Sequence, residues 1–394
     1  MYKQNLLKLP NVVGYGTGTK VTNGVDTGKP CLRIYVSKKV PAPLLSGTAL
    51  VPKTVIDDTI EVPTDVIEVG DVKALPFLSP DIATNPLAAC SPCKLRPVVG
   101  GASISPGNFA LAGTGGLVVY KHGVLMLLSN NHVLRMSFIS NEAERPQRGM
   151  YVRQPAFSDG GTIEDNCGII EDYIEMSFPG PNEADCALAR IAVGISPEIN
   201  GVGVPSKIIT PVKDMPVTKS GRTSGITSGT ITDTDVTIQV NYSSNPNTPI
   251  LATLTGQILT TPMLQPGDSG SVLVNLDNLS QEIQVAALGF AGSDLVSVAT
   301  PIEKVFSLLD LTLPKAVKAA EALSQIKGSF TCWAYDAISQ KWICYDSAAL
   351  EYVNDLYCLI SGQGYWIKVE QEQSLVYKDY SCYLRKGWNL IGWI

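Results

Sequence analysis

The sequence predicts a mainly β chain, and three observations carry that reading. Glycine (35) and proline (26) are abundant among 394 residues, which favours turns and short strands over long helices. Apolar and polar positions alternate with period two in Cys31-Leu-Arg-Ile-Tyr-Val36 and Val62-Pro-Thr-Asp-Val-Ile-Glu-Val69, the pattern of half-buried strands. Tryptophan, tyrosine and cysteine crowd into the last stretch in short strand-like runs, among them Gly364-Tyr-Trp-Ile-Lys-Val369 and Gly387-Trp-Asn-Leu-Ile-Gly-Trp393. A hydrophobic content of 45% with 17% charge describes a well-buried globular protein, and the length predicts two or three domains.

In order, residues 1–75 read as a small strand-rich domain packed on the rest. Its Gly14-x-Gly16-x-Gly18 lacks the following helix and glycine spacing of a dinucleotide fingerprint, so a glycine-kinked strand is expected. Residues 76–97 carry five prolines and suit an extended connector. Cys90-Ser-Pro-Cys93 lies inside it with no second C-x-x-C, so a loop turn is expected and not a zinc site. Residues 98–309 hold most of the strand signals and end in Pro301-Ile-Glu-Lys-Val-Phe-Ser-Leu-Leu309, which has helical spacing. Residues 310–327 include Pro314–Gln325, rich in helix formers, and read as a helical linker. Residues 328–394 hold all five tryptophans, eight of fifteen tyrosines and four of nine cysteines, an aromatic-rich β module. Strand alternation should bury about half its rings, so a core role is expected, with a protein- or glycan-binding face as the alternative.

The chemistry gathers at Leu264-Gln-Pro-Gly-Asp-Ser-Gly-Ser-Val-Leu273. Gly267 allows a sharp turn that aims successive N–H groups at one point, and Ser269 is a nucleophile only if a base lies elsewhere. There are two histidines. His122, in Tyr120-Lys-His-Gly123, reads as a solvated hairpin turn, whereas His132 follows an apolar run and a polar Ser129-Asn-Asn131 step. Glu183-Ala-Asp185-Cys-Ala-Leu-Ala-Arg-Ile191 sets a short carboxylate before another apolar run. The G-x-S-x-G elbow is excluded, because residue 271 is Ser and no histidine follows Ser269.

Asn-His-Val, Asp-Cys-Ala-Leu-Ala and Gly-Asp-Ser-Gly, in that order, resemble the triad segments of trypsin-like (chymotrypsin-fold) serine proteases. The Gln-Pro, Asp159-Gly-Gly and Gly221-Arg-Thr-Ser-Gly225 segments are similar to a leaderless branch that includes bacterial proteases and the plant narrow-leaf type. The resemblance implies a double six-stranded β-barrel over 98–309, flanked by the smaller β units. It makes His132 the general base, Asp185 its orienter and Ser269 the nucleophile, with the N–H groups of Gly267 and Ser269 as oxyanion hole. It puts Met263, Leu264, Phe290, Ala291 and Gly292 around the substrate pocket. No acid lies there, so a medium apolar or uncharged side chain is expected at the cleavage position. Arg222 is expected in a structural ion pair. Asp268, whose counterpart in secreted relatives pairs with a freshly cut N-terminus, is expected to cap backbone or meet another cation.

The expected function is a serine endopeptidase acting on protein or peptide substrates without cofactor or metal. A silent protease-fold binding scaffold and an esterase with the same triad are the alternatives. A net charge of −6 and pI near 5.1 disfavour nucleic acid or an anionic membrane as partner, and no run approaches the roughly 18 apolar residues of a membrane helix. A homo-oligomer stays open. The N-terminus as written lacks a signal-peptide core, which predicts a cytoplasmic home and reduced thiols, with secretion as the alternative because the four tail cysteines could pair.

Overall fold

A computed structural model of the chain describes residues 5–22, 25–57, 60–74, 93–243, 245, 247–277, 282–337 and 340–394. Cys90 and most of the expected connector lie outside the described residues.

Two closed barrels form the centre. The first has the strand order Gly113–Gly115, Ala102–Pro106, Tyr151–Arg153, Asn166–Tyr173, Ala187–Ile191, Val124–Ser129, Leu117–Lys121. Its first and last members are one strand broken at Gly116, whose N–H donates to Leu128 O at 2.8 Å. Six strands therefore close on themselves around Ile104, Leu127, Val152, Ile170 and Ala189, all buried. In the second, Gly225–Asn241, Leu251–Thr260, Ser297–Pro301, Glu282–Gly292, Val272–Asp277 and Pro216–Gly221 follow one another and return to Gly225–Asn241. Val217, Ile231, Ile258, Leu273, Ala287 and Ala299 fill it. Closure removes open sheet edges and gives each strand an inner apolar face, and the mainly β, double six-stranded architecture of chymotrypsin type is present. The helix Ile302–Leu309 buries Ile302, Val305, Phe306 and Leu309, the one-face spacing its sequence predicted, within the apolar layer between the barrels.

The N-terminal strands extend the second barrel's sheet. Val12–Thr22 pairs with Gly225–Asn241 at Gly14↔Ile238 and Tyr15↔Thr237, and Val25–Val36 and Ile60–Glu68 follow. Beyond this seam they have a cluster of their own, Leu6, Val12, Leu32, Ile34, Val36 and Val55. A buried Arg33–Asp233 ion pair crosses the seam.

At the other end, the composition of 314–325 predicts helix, but the chain makes the strand Ala316–Lys318 and one helical turn, Ala319–Ala322. Ala316, Val317 and Lys318 pair with Ile360, Leu359 and Cys358, and this ladder overrides intrinsic propensity. The tail is a four-stranded sheet in the order Lys341–Asp346, Phe330–Asp336, Gly364–Val369, Gly387–Gly392, with a hairpin of Gln373–Tyr377 and Tyr380–Leu384. Its register sets Trp333 opposite Trp366, Tyr335 opposite Trp342 and Lys368 opposite Trp388. Four of the five tryptophans thus share the outer face, and only Trp393 is buried. Half of the module's rings take a core role as expected: Phe330, Tyr365 and Trp393 are buried in its core, Tyr345, Tyr377 and Tyr380 pack against it, and Tyr357 packs on the first barrel. Cys332, Cys344, Cys358 and Cys382 are thiols. Among the described residues no helix is long and apolar enough to cross a membrane.

Candidate active site

His132 sits in a single helical turn, Asn131–Leu134, directly after the strand Val124–Ser129. The polar Ser-Asn-Asn step fastens it. Ser129 Oγ donates to Thr114 O at 2.7 Å, Asn130 Nδ2 to Asp185 O at 2.7 Å, and Asn131 Nδ2 to Ile174 O at 2.7 Å. All three side chains are buried, so each donor needs such an acceptor.

Asp185 precedes the strand Ala187–Ile191, which pairs with the histidine strand at Leu128↔Leu188 and Ser129↔Ala187. Its Oδ1 accepts the His132 N–H at 3.1 Å and its Oδ2 lies 2.6 Å from His132 Nδ1. The carboxylate therefore fixes Nδ1 as the protonated nitrogen and leaves Nε2 as the acceptor. Nε2 is buried and has no hydrogen-bond partner among the described residues. Tyr242 was missed by the sequence reading. Its hydroxyl donates to Asp185 Oδ2 at 2.9 Å and its ring meets the imidazole edge-on, 5.7 Å between centroids. Burial, followed by the adjacent Asp185 charge, pushes the phenol well above its ordinary value, so it stays a donor.

The Ser269 loop is clamped from the first barrel. Thr114 N–H donates to Ser269 O at 2.8 Å and Thr114 Oγ1 to Gly267 O at 2.9 Å. A Cβ on Gly116 would fall 1.9 Å from Gly270 O, so only glycine admits this approach. Gly267 has φ +97, a conformation open to glycine. Two carbonyls of the loop are engaged. Thr223 Oγ1 donates to Pro266 O at 2.6 Å, and Ser271 N–H to Asp268 O at 2.9 Å. In a trans peptide the N–H opposes the C=O, so the Gly267 N–H points away from Thr223 Oγ1 and the Ser269 N–H away from the Ser271 N–H. Neither makes a hydrogen bond among the described residues. Ser269 Oγ is fully buried and donates to Phe290 O at 3.2 Å.

Beneath the loop lies a wholly buried ion pair, Lys219 Nζ to Asp268 Oδ2 at 2.8 Å. Lys219 also donates to Gly225 O at 2.9 Å, and Asp268 accepts the N–H groups of Thr223, Ser224 and Gln265. Asp268 thus does both things expected of it. Arg222 pairs with buried Asp159, tying the Asp159-Gly-Gly turn to the same loop.

The similar solved structures are serine proteases. One described as glutamic acid specific, with a histidine triad in substrate binding, is 22% identical with TM-score 0.38, covering 55% of this chain and 100% of that one. Protease A of Thermobifida fusca is 21% identical with TM-score 0.37, covering 55% and 97%. Cellulomonas bogoriensis chymotrypsin is 20% identical with TM-score 0.37, covering 55% and 98%. No family model and no curated protein matches the chain.

The structure brings His132 and Asp185 into contact and lays the Ser269 loop against the strands on either side of Gly116. The other expected positions are distributed. Met263 and Leu264 belong to the second barrel's core, where both N–H groups reach Ser297 Oγ at 3.0 Å. Phe290 and Ala291 belong to a separate cluster with Tyr242, Val69 and Val72. His122 is 71% exposed in its hairpin turn. Tyr242 carries no local signal, since it simply follows the strand Gly225–Asn241. Lys219 carries one: it shares a strand face with buried Val217, and a charge on a core face implies a buried partner.

Proposed function

We propose that the chain is a serine endopeptidase of the trypsin-like family, in the branch that includes bacterial proteases and the plant narrow-leaf type, acting through His132, Asp185 and Ser269. One observation carries the reading: a buried imidazole whose Nδ1 is bound by a buried carboxylate, with Nε2 unpartnered among the described residues. Burying such a group without a partner is costly, and a general base needs that free acceptor.

In the proposed reaction His132 Nε2 takes the Ser269 proton as the hydroxyl attacks the carbonyl carbon. The oxyanion is held by the N–H groups of Gly267 and Ser269. The imidazolium, stabilised by Asp185, protonates the leaving amine, and water repeats the sequence to release the acyl group. Tyr242 is a positioning residue: by donating to Asp185 it fixes the carboxylate that orients the ring. Lys219 and Asp268 hold the hole within a single chain, so no freshly cut N-terminus is needed for it.

Fluorophosphonate labelling of the purified protein tests the reading. Labelling of the native chain with none of Ser269→Ala is expected, followed by casein cleavage. An unlabelled native chain leaves the binding-scaffold reading, and labelling with hydrolysis of esters alone leaves the esterase.

A further inference from the structure

We propose that residues 69–74 lie where a substrate polypeptide would lie, so that the chain occupies its own cleft. This rests on the proposed reaction site and adds its regulation and substrate class. The strand Glu282–Gly292 has two edges. Ser297–Pro301 covers one along Ala287–Gly292. The other is covered by the nucleophile strand up to Val272↔Leu288, then by Gly270 N–H on Gly289 O, then by Ser269 Oγ on Phe290 O. The next positions along that edge are Ala291 and Gly292, and they pair antiparallel with Ala74 and Lys73. Antiparallel pairing directs the chain, in going from Lys73 to Ala74, toward Phe290 and Ser269.

The inserted segment is held as a bound extended peptide is held, by backbone hydrogen bonds with alternate side chains in pockets. Asn241 N–H donates to Val72 O at 3.1 Å, and Ser293 Oγ to Val69 O at 2.5 Å. Val72 and Ala74 are buried against Tyr242, Phe290 and Ala291, whereas Lys73 between them is exposed. Without the segment this edge and its apolar groove would face solvent. The same contacts define the substrate: an extended polypeptide with small apolar side chains at the Val72 and Ala74 places and any side chain at the Lys73 place. Tethering gives the segment an effective concentration of about millimolar, so free substrate competes poorly until it leaves.

The test uses the full chain and two variants, Val72→Asp and Ala74→Lys, each putting a charge into the apolar groove, with thermal melts to establish folding. A fluorescent synthetic peptide of residues 66–74 is titrated onto each. Binding to the variants and not to the native chain supports the proposal. Equal binding to all, or binding to none, overturns it. Fluorophosphonate labelling at Ser269 should be about tenfold faster in the variants, a modest part of what tethering confers. Unchanged or slower labelling in folded variants makes the segment a permanent wall and overturns the inhibitory role. No labelling in any chain removes the hydrolase reading, and the peptide titration still decides whether the segment is displaceable.

Discussion

Lys219 and Asp268 form an ion pair at 2.8 Å with both side chains fully out of water. Burial pushes the Lys219 ammonium below its ordinary lysine value, while the Asp268 charge and hydrogen bond oppose that. Removing one partner leaves an uncompensated buried charge, which typically costs about 3–5 kcal/mol. Lys219→Met should lower stability by about that amount in urea unfolding. The double variant Lys219→Met with Asp268→Leu should recover part of it. If the single variant is as stable as the native chain, the pair is not a support of the Ser269 loop.

Tyr242→Phe keeps the ring against His132 and removes the hydroxyl from Asp185. A lost hydrogen bond to a charged group is worth about 1.5–3 kcal/mol. The expected result is fluorophosphonate labelling slowed about tenfold or more, the rate equivalent of about 1.4 kcal/mol or more, with near-native fold by circular dichroism. An unaltered rate would mean the tyrosine only fills space.

Arg222→Lys preserves charge but not the fork that meets Asp159. A bidentate arginine is poorly replaced by lysine, so loosening between the Asp159 turn and the Ser269 loop is expected. Hydrogen exchange at residues 266–271 should rise while the melting temperature falls by a few degrees. Exchange confined to residues 157–161 would show that the pair serves its own turn alone.

Acid should weaken the fold over a defined range. The hydrogen bond from Lys94, with the Thr162 N–H, holds the Asp165 carboxyl down at about 2. Burial by itself would raise Asp172, but the Lys121 hydrogen bond and the Tyr173 N–H outweigh it and leave the carboxyl below its ordinary value. For both groups the unfolded chain takes up protons first as pH falls. Their stabilisation is complete above the unfolded value near 4 and is lost as pH falls through each folded value, about 2 for Asp165. Urea midpoints measured from pH 6 to pH 3 should fall most below pH 4, and Asp165→Asn should flatten part of that slope.

The barrels and the strand-end positions of His132, Asp185 and Ser269 were legible because their signals are local. The Ser-Asn-Asn step, the short carboxylate before an apolar run and the glycine-flanked serine each sit at a strand end. What escaped was set by distant partners. Tyr242 matters through Asp185, 57 residues away, and nothing near Asn241 announces that. The seam at Gly14↔Ile238 joins strands more than 200 residues apart, so period two revealed the strands but not their neighbour. Helix formers at 314–325 were overruled by a ladder to Cys358–Ile360. In the tail, alternation gave the two faces and about half the rings inside, but not which rings: most tryptophans took the outer face.

The seam between the N-terminal strands and the second barrel bears on what a protease digest would report. Backbone pairing at Gly14 and Tyr15, the buried Arg33–Asp233 bridge and the strand at Lys73–Ala74 hold the two pieces together without a covalent link. A single cut between residues 74 and 93 should therefore leave a complex that elutes as one particle and separates into two bands only in detergent.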